Sequence, residues 1–78
     1  RTVDAPLVGT FYAAPAPDQP PFVTPGARVS KGQTLCLIEA MKMMNEVLAP
    51  CDCVIDAVLK TDGELVAFGD PLLRYTPC

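Results

Sequence analysis

The stretch Gly26–Leu35 reads GARVSKGQTL, and Gly63–Leu72 repeats its pattern as GELVAFGDPL. Two glycines, a valine between them and a leucine behind them recur at a constant offset of 37 residues. Each copy predicts a turn at the first glycine, a short strand, a turn at the second glycine and a longer apolar strand. The repeat therefore predicts two structurally equivalent halves related by a near twofold axis.

The two halves also begin alike, but the first half is longer. Ala5-Pro6 and Ala49-Pro50 lie 44 residues apart, so the first half holds seven extra residues before Gly26. They are best placed within 13–21 (AAPAPDQPP), whose four prolines lack the N–H that a sheet ladder needs. We predict a semi-rigid loop that protrudes from the sheets and contains seven surplus residues, Ala14, Pro15, Ala16, Pro17, Asp18, Gln19 and Pro20.

The composition fits one small domain over residues 1–78. Half of the 78 residues are apolar, and nine prolines with five glycines favour many turns and short strands over long helices. The net charge is −3 and the basic residues are scattered, which argues against a nucleic acid or an anionic membrane as a partner. No apolar run approaches the ~20 residues of a membrane span.

Histidine is absent, and the four cysteines do not have the spacing of a metal site. A zinc site would need Cys36 and Cys78 to converge on Cys51 and Cys53, which no ribbon or knuckle spacing supports. We expect no metal, and four free thiols that behave as small apolar side chains in a reducing compartment.

One lysine stands apart from the others. Lys42 lies within Glu39–Asn45 (EAMKMMN) between methionines, whereas Lys31 and Lys60 lie beside turn signals. A lysine amine is cationic at neutral pH and a poor nucleophile, and the sequence offers no histidine or acid–base pair to deprotonate this one. We therefore expect Lys42 to be the substrate of a modifying enzyme, with the domain itself non-catalytic.

The local propensity around Lys42 conflicts with the repeat. Residues 39–46 are mostly good helix formers, and Met41-Lys42 lacks the Asn-Gly chemistry of a hairpin turn. The flanks 34–38 and 47–49 are short and rich in strand-type residues, and the repeat requires strands here. We therefore predict a tight hairpin with Lys42 at its tip.

Ala40–Met43 (AMKM), in register with the earlier run Ala5–Tyr12 (APLVGTFY), resembles the biotin-attachment signature of biotinyl domains. The likeness covers nearly the whole chain and points to the biotin carboxyl carrier protein of acetyl-CoA carboxylase. It implies an all-β fold, a flattened barrel or sandwich of two four-stranded antiparallel sheets. It also implies biotin on Lys42, with Met41 and Met43 as flanks recognised by the ligase and Ala40 and Glu39 as further residues of the attachment site. The type of carrier implied is bacterial or plastid, and its "thumb" is the inserted loop.

The resemblance also implies partners and a pathway. A biotin protein ligase would attach the cofactor, and biotin would then carry CO2 from a biotin carboxylase to a carboxyltransferase. The expected acceptor is acetyl-CoA, giving malonyl-CoA for fatty acid synthesis. We expect the isolated domain to be monomeric, in the bacterial cytoplasm or the plastid stroma.

Three other interpretations remain open. Another biotin-dependent carboxylase or decarboxylase could use the same domain, although the thumb argues against it. A lipoyl domain shares the fold, but its lysine usually follows an acid and precedes an alanine, unlike the flanks of Lys42. A scaffold with an unmodified lysine is the third, and a mass measurement would distinguish it.

Two geometric expectations follow from the alignment of the halves. The offset of 37 residues relates Lys42 to the two chain ends, so the hairpin and the termini are expected at opposite poles. The offset of 44 residues places Cys53 where the first half has Gly9, and biotinyl domains commonly have glycine at both places. Because cysteine tolerates a positive φ poorly, we expect a relaxed bend or a local strand shift around residues 50–54.

Overall fold

A computed structural model describes all residues, 1–78, and contains eight strands and no helix. The strands, in chain order, are β1 (Thr2–Asp4), β2 (Gly9–Tyr12), β3 (Arg28–Val29), β4 (Thr34–Ala40), β5 (Met43–Leu48), β6 (Cys53–Val58), β7 (Leu65–Val66) and β8 (Pro71–Pro77). Since there is no helix, none is long and apolar enough to cross a membrane.

The strands form two four-stranded sheets in which every pairing is antiparallel. The first sheet has the order β1-β8-β6-β3 and the second the order β5-β4-β2-β7. Each sheet takes its two central strands from one half of the chain and its two edge strands from the other. This confirms the predicted sandwich.

The predicted twofold relation between the halves is confirmed by the turns. Gly26 and Gly63 have φ angles of 90° and 85°, and Gly32 and Gly69 have φ angles of 86° and 87°. Only glycine enters this region without steric cost. Two of the three register shifts also correspond: pairing skips a residue in β4 and in β8, and these two skipped residues are one repeat apart.

The core lies between the sheets and contains no polar side chain. Because side chains alternate along a strand, one face of each sheet supplies the core. Its largest fully buried members are Phe11, Leu35, Ile38, Ile55, Leu72, Leu73 and Val66, together with the thiols of Cys36 and Cys53. Burial raises the pKa of Cys36 to about 12, and burial also raises the pKa of Cys53, so both thiols stay protonated as apolar groups at neutral pH.

Of the two outcomes expected around residues 50–54, the structure shows the relaxed bend: neither Cys53 nor its counterpart Gly9 has a positive φ, so the glycine does not serve a turn. Gly9 is needed for a different reason. A Cβ atom at this position would overlap the carbonyl oxygen of Glu39 and lie 2.6 Å from Cγ2 of Ile38. Cys53 occupies the equivalent place in the second half with ordinary backbone and a fully buried side chain, and the pairing of β6 shifts further along, between Ile55 and Ala57.

We expect Gly9→Ala to destabilise the domain by about 3 kcal/mol, at the upper end for overpacking, because the backbone atoms of β4 cannot move out of the way. Gly26→Ala is the matched control: nothing lies within 4 Å of its added Cβ, so only the φ strain of about 1–2 kcal/mol remains. Urea unfolding of both variants would measure the difference. Equal losses of stability would contradict the close approach of β2 to β4.

Candidate functional site

The predicted hairpin is present and its loop is two residues long. Met41 and Lys42 connect β4 to β5, and the last pair of the ladder is Ala40 with Met43. Their φ angles are 52° and 64°. Positive φ at both central residues defines the type I′ turn, whose twist matches that of a two-stranded ribbon. The hairpin therefore forms against the helix propensity of its own residues.

This turn is strained. Met41 and Lys42 are the only residues other than glycine with a positive φ. A side chain in this region costs about 1–2 kcal/mol, which Asn-Gly would avoid. Such strain persists only where the surrounding structure imposes it, and it is concentrated at functional sites.

The surrounding sheet imposes the turn from both sides of β4. On one side β2 approaches so closely that only Gly9 fits against Glu39. On the other side the Asn45 side chain donates from Nδ2 to the carbonyl oxygens of Ile38 at 3.2 Å and Met43 at 3.3 Å. The base of the hairpin is thus fixed within four residues of Lys42.

The tip of the hairpin is open to solvent. Met41 is 95% exposed and Met43 is 67% exposed, and Lys42 between them is also exposed. The one ion pair of the protein joins Lys60 to Glu64 at 3.7 Å, and no hydrogen bond involves the Lys42 amine. Lys42 therefore presents an unpaired amine that an enzyme can reach without breaking any contact.

The chain path places this tip far from the N-terminus. β1 runs away from Arg1, and the four residues after Asp4 lead directly to Gly9, which lies against the base of the hairpin. At the other end Cys53 pairs with Pro77, next to the C-terminus, after the chain has run down β5 from the tip. The longest dimension of the molecule is 34 Å.

The predicted thumb, residues 13–21, contains no strand. Pro15 and the segment 17–21 are exposed, but Ala14 is only 8% exposed, so the base of the loop is packed while the rest protrudes. The Phe22 N–H donates to the Ala13 carbonyl at 2.8 Å and closes the loop.

A groove of about 390 Å³ separates the thumb from the hairpin. One wall is the thumb segment 14–17, and the other carries Glu39 and Met44. Phe11 and Ile38 point into the core, so Glu39 and Met44 lie on the outer face of the second sheet. The groove is completed by Tyr12, Asp62 and Gly63.

The structure thus brings the Lys42 motif and the thumb to one side of the same sheet. Glu39, Ala40, Met41 and Met43 all belong to the hairpin, as the sequence predicts. Sequence reasoning missed Tyr12, Met44 and Asp62 as lining residues. Met44 could have been predicted as a lining residue, because it pairs with Glu39 across the hairpin and therefore lies on the same face of the sheet. No local sequence pattern marks Asp62 as a lining residue.

The cysteines take no part in this site. Cys36, Cys51, Cys53 and Cys78 are free thiols, and no group of three potential metal ligands converges anywhere in the chain.

With the hairpin and thumb established, comparison with known proteins places the chain in a family. The sequence model described as "Biotin-requiring enzyme" matches residues 1–74. The chain belongs to this family. The resemblance inferred from the AMKM motif is therefore confirmed.

Curated relatives carry the name "Biotin carboxyl carrier protein of acetyl-CoA carboxylase". The relative from Streptococcus pyogenes is 56% identical over 72 residues, which is 92% of this chain and 43% of the relative. The relative from Nostoc is 48% identical over 96% of this chain and 41% of its own length. A chloroplastic relative from Arabidopsis thaliana is 43% identical over 97% of this chain and 27% of its own. The chain spans less than half the length of these relatives.

One solved structure is similar over the whole chain. It comes from a single-chain, multi-domain long-chain acyl-CoA carboxylase, with a TM-score of 0.82 and 36% identity, and the match covers 100% of this chain and 7% of that one. The same fold thus occurs both in a separate carrier protein and inside a multi-domain enzyme.

The strain at the hairpin tip can be measured. The double variant Met41→Asn, Lys42→Gly should raise the free energy of unfolding by about 1–2 kcal/mol, because Asn-Gly adopts the turn without strain. The control variant Met41→Ala, Lys42→Ala removes the same side chains but keeps two Cβ atoms, so it should bring no such gain. Thermal unfolding monitored by circular dichroism measures both. A double variant no more stable than its alanine control would show that the turn stores no strain.

Proposed function

We propose that Lys42 carries biotin through an amide bond, and that the domain is the non-catalytic carrier of an acetyl-CoA carboxylase. The observation that carries this proposal is the turn itself. An exposed, unpaired lysine amine is held at the tip of a strained two-residue hairpin. A structural role would not require a lysine in a conformation that favours Asn-Gly.

The residues around Lys42 fit the attachment of biotin. Met41 and Met43 extend into solvent on either side of the amine, so they form part of the surface that a biotin protein ligase would contact. Methionine side chains are flexible and adapt to a partner surface. Acylation removes the positive charge of Lys42 without cost to the fold, because no acid pairs with it.

When attached, biotin supplies a ureido nitrogen that carries the carboxyl group. The chain contributes reach and local concentration, because a tethered group meets each active site as if in one molecule. The placement of the hairpin away from both chain ends supports this role. The names of the relatives, which refer to acetyl-CoA carboxylase, support acetyl-CoA as the acceptor. We propose a biotin carboxylase and a carboxyltransferase as the partners.

We also propose the bacterial cytoplasm or the plastid stroma as the location. The relatives named above are bacterial or chloroplastic proteins, which supports either compartment.

A carrier domain for a longer acyl-CoA is the second candidate. The structural match to a long-chain acyl-CoA carboxylase favours it. The domain does not touch the acyl chain in either mechanism, so an assay of the assembled enzyme with acetyl-CoA and longer acyl-CoA esters separates the two. A lipoyl domain is disfavoured by the methionines on both sides of Lys42.

Lys42 should be the only biotinylated residue. Co-expression with a biotin protein ligase should add one biotinyl group to the wild-type protein, and Lys42→Arg should remove it with an unchanged melting temperature, since the amine makes no contact. Lys31→Arg and Lys60→Arg are the controls and should keep the group. Intact-mass spectrometry with peptide mapping gives the answer. Biotin on Lys31 or Lys60, or none on the wild type, would refute the proposal.

The thumb should affect carboxyl transfer more than folding. Replacing Ala14–Pro20 by two glycines leaves all eight strands intact and removes one buried methyl group, that of Ala14. Losing this buried methyl group should lower the free energy of unfolding by ~1 kcal/mol, which lowers the melting temperature of so small a domain by about 4–8 °C. Biotinylation of Lys42 should persist, while carboxyl transfer slows or the carboxyl group is lost more often without transfer. A variant that unfolds, or one with unchanged transfer, would contradict this role.

A further inference from the structure

Ala13, the first residue of the thumb, makes the hydrogen bonds that attach the thumb to the rest of the domain. Its carbonyl oxygen accepts from the Phe22 N–H at 2.8 Å, which joins the two ends of the loop. Its own N–H donates to Oδ1 of Asp62 at 2.6 Å, across 49 positions of sequence. A hydrogen bond from a backbone N–H to a carboxylate is among the stronger kinds in proteins. Both polar groups of Ala13 are therefore used, one within the thumb and one outside it.

The bond to Asp62 breaks the twofold symmetry of the fold. The repeat offsets relate Ala13 to Ala57 and Asp62 to Pro25, and a proline side chain cannot accept a hydrogen bond. The second half of the chain also lacks the inserted loop. The carboxylate is thus present only on the side of the molecule that carries a thumb.

The turn that carries Asp62 is rigid. The Gly63 N–H donates to the Phe11 carbonyl at 2.8 Å, and the Phe11 N–H donates to the Glu64 carbonyl at 2.8 Å. The side chain of Glu64 in turn accepts from the Thr61 N–H at 3.1 Å. Asp62 is therefore fixed to β2 two residues before Ala13, at the point where the thumb leaves the sheet.

We propose that Asp62 is a positioning residue that holds the thumb at the groove between the thumb and the strands of the Lys42 hairpin. Asp62 and the thumb segment 14–17 line the same groove, opposite Glu39 and Met44. Releasing Ala13 lets the thumb move and changes the width of that groove. The consequence for the carboxylated group on Lys42 rests on the proposed function; the effect on the thumb does not.

The first experiment measures the thumb in the unmodified protein by amide hydrogen exchange and ¹⁵N relaxation. Asp62→Ala should accelerate exchange of the Ala13 amide about tenfold and lower the order of the thumb amides, such as that of Gln19. Asp62→Asn keeps an acceptor oxygen and should restore most of the protection. Asp52→Ala is the matched control, because Asp52 accepts from the Lys31 N–H at 2.8 Å in the same way and neither of these two residues lines the groove.

Unchanged exchange at Ala13 in Asp62→Ala, or equal loosening of the thumb in Asp52→Ala, would overturn the positioning role. If Asp62→Ala unfolds, the folded Asp62→Asn variant decides the question. Normal protection of its thumb amides supports the bond. If its Ala13 amide is unprotected and the variant still loses the carboxyl group at the wild-type rate, the positioning role is overturned.

The second experiment uses the full-length biotinylated protein with its carboxylase and transferase. Asp62→Ala should shorten the lifetime of the carboxylated carrier about threefold and lower kcat for transfer, with the rate of biotinylation unchanged. A purely structural role for Asp62 would instead change biotinylation and melting temperature together. A wild-type protein that takes no biotin would refute the proposed function and leave the first experiment valid.

Discussion

The backbone of this domain is interlocked at its glycine turns, where each half bonds to the strands of the other. The Gly26 N–H donates to the Ile55 carbonyl at 2.7 Å, and the Gly63 N–H donates to the Phe11 carbonyl at 2.8 Å. Neither bond can form within one half, and each sheet needs edge strands from one half and central strands from the other. A single half would leave its edges unpaired, so the fold forms as a whole or not at all. A domain of this size gains its rigidity from this sharing of strands between the halves, since it contains neither a disulfide nor a cluster of metal ligands.

The strained hairpin depends on this interlocking. β4 is a central strand, held by β2 on one side and β5 on the other, and its final residues have no freedom to follow their helix propensity. The turn then falls on Met41 and Lys42 because Ala40 and Met43 are already paired. The domain thus tolerates an unfavourable conformation at the two residues that have no packing role. This is the arrangement expected of a site that another enzyme must recognise by shape.

Some features of the molecule occur in both halves, and others occur in only one. The glycine turns correspond between the halves, and so do the residues skipped in β4 and β8. The departures cluster on one side: β2 ends at Tyr12 and the thumb begins, whereas its counterpart β6 bends between Ile55 and Ala57 and continues to Val58. The Asp62 carboxylate has no counterpart either. These asymmetric features, the thumb and Asp62, lie along the groove whose other wall carries Glu39 and Met44 of the hairpin strands.

Much of this arrangement could be predicted from the sequence. The glycine and valine repeat determined two equivalent halves, since glycine alone adopts the turns at low cost. The proline-rich insertion determined a loop that stays outside the sheets. The strand-type flanks of Met41-Lys42 predicted the hairpin with Lys42 at its tip, while the modification of Lys42 stays a prediction. These features depend on local chemistry and on spacing, which a sequence shows directly.

The tertiary structure alone decided the rest. The positive φ angles of Met41 and Lys42 follow from the pairing of β4 with β5, against local propensity. The role of Gly9 is to let β2 approach β4, which no neighbour in sequence reveals. The bond between Ala13 and Asp62 joins residues 49 positions apart. Such contacts arise only when distant segments are brought to one place, so their physical cause is the packing of the sheets and not the residues on either side.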